Sequence, residues 1–233
     1  MKLSIIIPVY NEKDTLRELV SRVKKSDIGN MKKEIILVDD CSTDGSRELI
    51  ESLVDSNVKK VFNRHNLGKG GALKNGIQHA TGDLIIFQDA DLEYDPSDYN
   101  KLLQPIRNNE AEFVLGERPF PKFFSKGNIV PTHTVGNKIL AKIGNLLYSK
   151  NLKDYEPCYK VFRRELLLNN PVKSNGFGYD IELMARLFRK NHKFTIIPIS
   201  FKPRSFEEGK KITWRDGIKA VYLLFKYRFR PLK

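Results

Sequence analysis

Asp89 and Asp91 stand two residues apart at the end of the apolar run Leu84-Ile85-Ile86-Phe87, and Glu93 follows two residues later. A short unbroken apolar run reads as a strand from a sheet covered on both faces. Open α/β sheets bind their ligands beyond the carboxyl ends of such strands. Two carboxylates this close repel each other unless a cation lies between them. Their hard oxygens suit Mg²⁺ or Mn²⁺ better than zinc, and an ion of that kind can neutralise a diphosphate leaving group. On the triplet alone the alternative stays open, with Asp89 capping the next turn and Asp91 solvated.

Three further clusters sit at strand ends. Leu3 to Val9 is an apolar strand closed by Pro8-Val9-Tyr10-Asn11-Glu12, and Asp14 is placed to cap a helix in which Leu16, Leu19, Val20 and Val23 recur at helical spacing. A second strand, Glu34 to Val38, runs into Asp39-Asp40, and Ser42-Thr43-Asp44-Gly45 makes the turn before the next helix. The third, Val58 to Phe62, leads to Asn66-Leu67-Gly68-Lys69-Gly70-Gly71, a glycine-rich loop before a helix expected over Ala72 to Ala80. Amide groups at a helix start, joined by the cation of Lys69, favour an anion such as phosphate; a plain capped helix start is the alternative. Repeated strand–helix alternation predicts a mainly parallel sheet with helices on both faces, so all four clusters should meet along one edge.

The remaining chain is less regular. Residues 117–133 carry three prolines, three phenylalanines and several cations, and read as a loop over the site. Helices resume near Val135 to Tyr148 and Tyr179 to Arg189, with a strand at Phe194 to Ile199. Residues 1–115 hold 16 Lys and Arg against 19 Asp and Glu, whereas residues 116–233 hold 25 against 9. All of the +13 net charge therefore lies in the second half, a field that attracts phosphorylated substrates, anionic lipid head groups or nucleic acid. Carboxylates at the strand ends argue against nucleic acid, since they repel phosphate unless a metal is present. Two cysteines, Cys41 and Cys158, are too few for a disulfide framework and read as free thiols. No apolar run approaches the roughly 20 residues that span a bilayer, and the first nine residues read as a strand and not a signal peptide. A cytosolic protein is expected.

In this order the four clusters resemble the family 2 inverting glycosyltransferases, whose fold is the nucleotide-binding α/β domain called GT-A. The match covers about the first half of the chain. The resemblance implies that Pro8, Tyr10, Glu12, Asp39, Asp40, Lys69, Gly70, Asp89, Ala90 and Arg204 bind a nucleotide sugar, with Tyr10 and Glu12 at base and ribose and Asp39 accepting from the base edge. It also implies that Asp89, Asp91 and Glu93 hold Mg²⁺ or Mn²⁺. In the second half, Gly116-Glu117-Arg118, Asp154 to Arg163, Phe177 to Glu182, Pro198 to Arg204 and Glu208 to Gly217 resemble the branch of the family that uses polyprenyl phosphates, the dolichol-phosphate mannose synthases and their bacterial relatives. By that resemblance Asp91, Arg118, Asp154 and Arg204 are catalytic, and Arg118, His133 and Lys210 meet the acceptor. The chain departs from the pattern at Thr132-His133-Thr134, where an Arg is common, at Asp180, where Glu is common, and at Glu93, where Gln is common.

Near the C-terminus Trp214, Ile218, Val221, Tyr222, Phe225 and Phe229 recur three and four apart among cations, a basic amphipathic helix within 212–230. It can pack on its own domain or lie on a membrane surface, and the two readings can share the helix. The expectation is a single glycosyltransferase domain over 1–233, with a nucleotide-sugar half (1–115) and an acceptor half (116–233). It would move a hexose from GDP- or UDP-sugar to a polyprenyl phosphate, peripherally on the cytosolic face of a membrane. The rival within the fold is a sugar or other hydroxyl acceptor. A nucleotidyltransferase would need a glycine loop near residue 10, which is missing.

Overall fold

The computed structural model describes residues 1–119, 132–155, 157–176, 178–204 and 214–230, with backbone alone at 132–135 and 214–216. His133 therefore has a described backbone but no described side chain. Lys210 and most of the 117–133 loop lie outside the described residues.

Strand β1 (Lys2–Val9) runs parallel to β2 (Lys32–Asp39) on one side and to β4 (Leu84–Phe87) on the other, and β2 pairs in parallel with β3 (Val58–Phe62). Beyond β4 come β6 (Lys160–Arg163), β5 (Phe113–Glu117) and β7 (Phe194–Pro198), giving a seven-stranded order β3-β2-β1-β4-β6-β5-β7. Only β6 runs against its neighbours, with Ile85 opposite Phe162 and Val161 opposite Val114. The sheet is thus mainly parallel, as expected, and β1, β2, β4, β5 and β7 end on one edge.

Neighbouring side chains of a strand point to opposite faces, and here both faces are apolar. Ile5, Ile7, Ile35, Leu37 and Ile86 bury against α1 (Lys13–Lys25) and α4 (Tyr99–Arg107). Ile6, Ile36, Val38, Ile85 and Phe87 bury on the other face, in the core shared by α3 (Lys69–His79), α5 (Thr132–Tyr148), α7 (Gly178–Arg189) and α8 (Trp214–Phe229). Each aliphatic side chain so buried contributes about 1.5–3 kcal/mol before the entropy of ordering it is counted. Two short helices, α2 (Ser46–Ser52) and α6 (Arg164–Leu168), complete the layers.

Strand positions agree with the sequence reading to within two residues, and the structure adds β5, β6, α4 and α6, which that reading does not contain. Two local expectations need correction. Helix α1 begins at Lys13 behind Glu12, whose carbonyl accepts from the Leu16 amide at 2.9 Å, so Asp14 lies in the first turn and is not the cap. Helix α3 begins at Lys69, three residues before the expected start, which places Lys69 and Gly70 inside its first turn.

Candidate active site

Helix α3 starts early because the Gly68 carbonyl already accepts from the Ala72 amide at 3.0 Å, and its glycines set how closely it packs. Gly68 precedes the helix at φ +75°, a conformation that side chains rarely adopt, and a Cβ there would come within 3.0 Å of the Gly176 backbone. At Gly70 a Cβ would come within 2.4 Å of Tyr179 Cβ and 2.9 Å of the Gly176 carbonyl, and at Gly76 within 2.4 Å of Ile6 Cγ2. Small residues let α3 press onto β1 and α7, and so fix where its first-turn amides and Lys69 stand.

Lys69 reaches the first carboxylate of the strand-end pair, with Nζ at 2.6 Å from Asp89 Oδ1 and 2.8 Å from Oδ2. Burial works against both charges, but the pairing wins. Asp89 is held below the usual carboxylate range, and Lys69 is raised well above the usual lysine range with help from Asp180. Behind Asp89 sits a polar anchor that the sequence did not reveal. Buried Gln88 accepts from the Tyr99 and Tyr159 hydroxyls at 2.7 and 2.6 Å and donates to the Asp89 carbonyl at 2.9 Å. Its adjacency to the Asp pair was the only signal. Ala90 is buried between the two acids.

Asp91 has the opposite electrostatics. Burial, then the nearby charges of Asp89 and Glu93, push its carboxyl up to about 7. A carboxylate that is this poorly compensated, with oxygen donors around it, fits a hard divalent cation. The three carboxylates do not form a ready cage, however. Among the described residues no three His, Cys, Asp or Glu converge as metal ligands; Asp89 is closed by Lys69, and Glu93 Oε1 accepts from the Arg204 amide at 2.7 Å.

Arg204 joins the site from the far end of the chain. Its guanidinium donates to Glu12 Oε2 at 2.7 Å and to the Asp91 carbonyl at 2.8 Å. Burial opposes its charge, but Glu12, Asp91 and Glu93 outweigh that and raise its pKa. Arg118, at the end of β5, pairs through Nε with Asp154 Oδ2 at 2.5 Å and lies 5.2 Å from the centre of the Phe201 ring. Phe201 bridges to Tyr94, one residue beyond Glu93. Arg118 and Arg204 therefore flank the same loop.

On the β2 side, Asp39 is fully buried and its Oδ2 has no hydrogen-bond partner, with Arg47 Nη1 3.6 Å away. Arg47 itself lies over the Phe62 ring at 4.8 Å. Such an orphaned acceptor beside an exposed Tyr10 suits a donor-bearing base edge. Asp40 has a different occupation, since its Oδ1 accepts from Asn63 Nδ2 at 2.7 Å and the Leu67 amide at 2.9 Å, fastening the loop that leads into Gly68. Asn11, at φ +56°, accepts from the Thr43 amide at 2.8 Å and ties the first two strand ends together. Pro8 lies in β1 opposite Val38. Both cysteines are free thiols; burial, with the Asp89 charge, pushes the Cys158 thiol up.

Comparison with known proteins agrees with this arrangement. The sequence pattern of the family described as glycosyl transferase family 2 matches residues 4–169. The chain is 28% identical over 230 residues to glycosyltransferase AglJ of Haloferax volcanii, covering 98% of this chain and 71% of that protein. It is 29% identical over 236 residues to dolichol-phosphate mannosyltransferase of Pyrococcus furiosus (97% and 64%). With an undecaprenyl-phosphate 4-deoxy-4-formamido-L-arabinose transferase of Salmonella choleraesuis it shares 30% over 217 residues (90% and 62%). The chain thus spans about two thirds of the length of these curated relatives. Among solved structures, glucosyl-3-phosphoglycerate synthase of Mycobacterium tuberculosis, in complex with Mn²⁺, UDP and phosphoglyceric acid, superposes with a TM-score of 0.73 at 19% identity, over 99% of this chain and 79% of that one. That likeness shows the GT-A fold. With more than half of its length matched by the family pattern and the strand-end clusters brought to one edge, the chain belongs to glycosyl transferase family 2 and is a glycosyltransferase.

Proposed function

We propose that the enzyme transfers a hexose from a nucleoside diphosphate sugar, GDP- or UDP-linked, to the phosphate of a polyprenyl lipid, with inversion at the anomeric carbon. The observation that carries this reading is the pair of arginines flanking one loop, Arg204 on Glu12 and the Asp91 carbonyl and Arg118 on Asp154. Two relatives named for dolichol-phosphate and undecaprenyl-phosphate transfer support it. A phosphate acceptor is already ionised near neutral pH and needs little help from a base, so positioning and charge do most of the work. Asp39 and Tyr10 take the base, Lys69 and the first amides of α3 take the diphosphate, and Arg204 stabilises the charge that grows on it as the anomeric bond breaks. Arg118, oriented by Asp154, aligns the acceptor phosphate so that its oxygen forms the new bond on the opposite face of the sugar. Asp91 and Glu93, with Asp89, would hold Mg²⁺ or Mn²⁺, which when bound supplies positive charge to the leaving diphosphate. Such an enzyme works from the cytosol, peripherally on the membrane that contains its acceptor.

A hydroxyl acceptor is the second reading, and Asp91 favours it. In the metal-free protein its carboxyl, raised to about 7, is poised to act as a general base, which a sugar hydroxyl would require. Incubation with Mn²⁺ and a panel of nucleotide sugars, with and without a short polyprenyl phosphate, decides between them. Lipid-dependent release of nucleoside diphosphate together with a polyprenyl-phosphate hexose by mass is the expected result. Donor turnover that ignores the lipid would transfer the assignment to hydroxyl acceptors.

A further inference from the structure

Lys69 holds both oxygens of Asp89, at 2.6 and 2.8 Å, and so occupies with one ammonium the lone pairs that a divalent cation would need. The two cations cannot share that carboxylate. A Mg²⁺ bound to it at about 2.0–2.1 Å would stand beside the ammonium and repel it. Glu93 does not take over the place of Asp89, since its Oε1 already accepts from the Arg204 amide at 2.7 Å. A metal site that includes Asp89 therefore forms only when Lys69 leaves.

The position of Lys69 sets where it can go. It is the first residue of α3, no side chain caps that helix at Gly68, and first-turn amides favour an anion. Its four-carbon stem can turn the ammonium from Asp89 to a diphosphate lying across those amides. The pair is partly open to solvent, with 22% of the Lys69 side chain and 19% of Asp89 exposed, so an incoming ion and phosphate can reach it. Behind the pair, the charge of Asp180 also acts on Lys69. Asp180 has a cation of its own, however, because its Oδ1 accepts from the fully buried Lys160 at 2.7 Å. Departure of Lys69 does not strand it.

Charge balance then couples the two ligands. A diphosphate that draws Lys69 away by itself leaves Asp89 without a counter-charge, and a cation that displaces Lys69 by itself leaves an ammonium without one. Breaking a shielded ion pair on one side only is costly. When both ligands enter, every charge keeps a partner: the cation on Asp89, Lys69 on the diphosphate and Lys160 on Asp180.

We propose that Lys69 is an exchange residue, which gives up Asp89 to the divalent cation as it takes up the donor diphosphate, so that metal and nucleotide bind as a coupled pair. This exchange rests on Asp89 being a metal ligand and the donor a nucleoside diphosphate sugar, as in the function proposed above. It adds a second seat for Lys69 and makes that residue a determinant of metal affinity.

The test is Mn²⁺ affinity without nucleotide, read from the electron paramagnetic resonance of the free ion, for the native protein and Lys69→Met. The variant, or Lys69→Gln should the methionine form not fold, is expected to bind Mn²⁺ about tenfold or more tightly than the native protein. Calorimetry with UDP and with GDP, each in Mn²⁺ and in EDTA, supplies the second readout. The factor by which Mn²⁺ tightens nucleotide binding should be about fivefold or more larger in the native protein than in the variant. Equal Mn²⁺ affinities in the two proteins would overturn the exchange and leave Asp89 a metal ligand. A raised affinity with the nucleotide factor unchanged would also overturn it, since Lys69 would then act on the metal only through its field. If Mn²⁺ neither binds to any of the proteins nor tightens nucleotide binding, the metal reading falls and the exchange falls with it.

Discussion

Arg204 donates to Glu12 Oε2 at 2.7 Å across 192 positions of sequence, closing the strand-end edge of the sheet between its first turn and its last described loop. The same guanidinium holds the Asp91 carbonyl, so it fixes the loop bearing the carboxylates as well as the turn after β1. Arg204→Ala should lower kcat/KM for the nucleotide sugar about 100-fold or more, the scale seen when a donor aimed at developing charge is removed. Arg204→Lys should rescue little of this, because an ammonium is a point charge that cannot reproduce two bonds from one planar fork. Steady-state kinetics on both variants check it; a lysine variant near native activity would reduce the role of Arg204 to simple charge.

The raised carboxyl of Asp91 gives a second outcome with a defined sign. Its folded-state pKa lies above the ordinary value, so in the metal-free protein its contribution to stability falls as pH rises from the usual carboxylate range through 7. Asp91→Asn should flatten that decline and raise the metal-free melting temperature at neutral pH. A divalent cation must displace the proton, so Mn²⁺ should stabilise the native protein more at about pH 8 than at about pH 6. The variant should show neither Mn²⁺ stabilisation nor metal-dependent turnover. Thermal melts at two pH values with and without Mn²⁺ suffice, and an unchanged Mn²⁺ shift in the variant would remove Asp91 from the metal site.

Much of this site was legible because its residues are neighbours in sequence. The four strand-end clusters sit where apolar runs stop, and a parallel sheet carries such ends to one edge regardless of what lies between. Contacts made between distant segments were not legible. Gln88 carries no local signal, because its partners Tyr99 and Tyr159 lie 11 and 71 residues away, and nothing local announces that Lys69, which the sequence offers to phosphate, also pairs with Asp89. Strands β5 and β6 are short and carry no turn signature of their own. The apolar repeat in α8 was visible, but sequence could not divide it: Ala220, Leu223 and Leu224 face the core, and Ile218, Tyr222, Phe225 and Phe229 face outward.

A buried carboxylate far from the site governs acid stability. Glu34 is 3% exposed and receives the Ser4 hydroxyl, the Thr81 amide and the ammonium groups of Lys2 and Lys59. Burial pushes its carboxyl up, but these partners outweigh it and hold the group well below the usual range. A depressed folded-state pKa means that the stabilisation is present above the unfolded value and is lost as pH falls through the acid range. Glu34→Gln should therefore cost about 1–3 kcal/mol at neutral pH, with the difference from the native protein shrinking in acid. Denaturant melts across that range read it directly, and a cost independent of pH would show that packing and not charge is what Glu34 supplies.

Arg118 and Asp154 separate binding of the acceptor from chemistry on the donor. Asp154 is 6% exposed and grips Arg118 Nε at 2.5 Å, while Phe201 supports the guanidinium from one side at 5.2 Å. These contacts orient the guanidinium before any acceptor arrives. Arg118→Lys keeps the charge but loses the stacking and the fork, so the acceptor KM should rise about tenfold or more while slow donor hydrolysis without acceptor stays near native. Asp154→Asn keeps a hydrogen-bond acceptor at nearly the same place and removes the charge that holds Arg118, so its effect should be smaller and of the same kind, on acceptor KM more than on kcat. If the two substitutions are combined, the losses should fall short of additive, since both act through one guanidinium. Independent, fully additive effects, or a loss of donor hydrolysis in either single variant, would place Asp154 in the donor chemistry instead of behind Arg118.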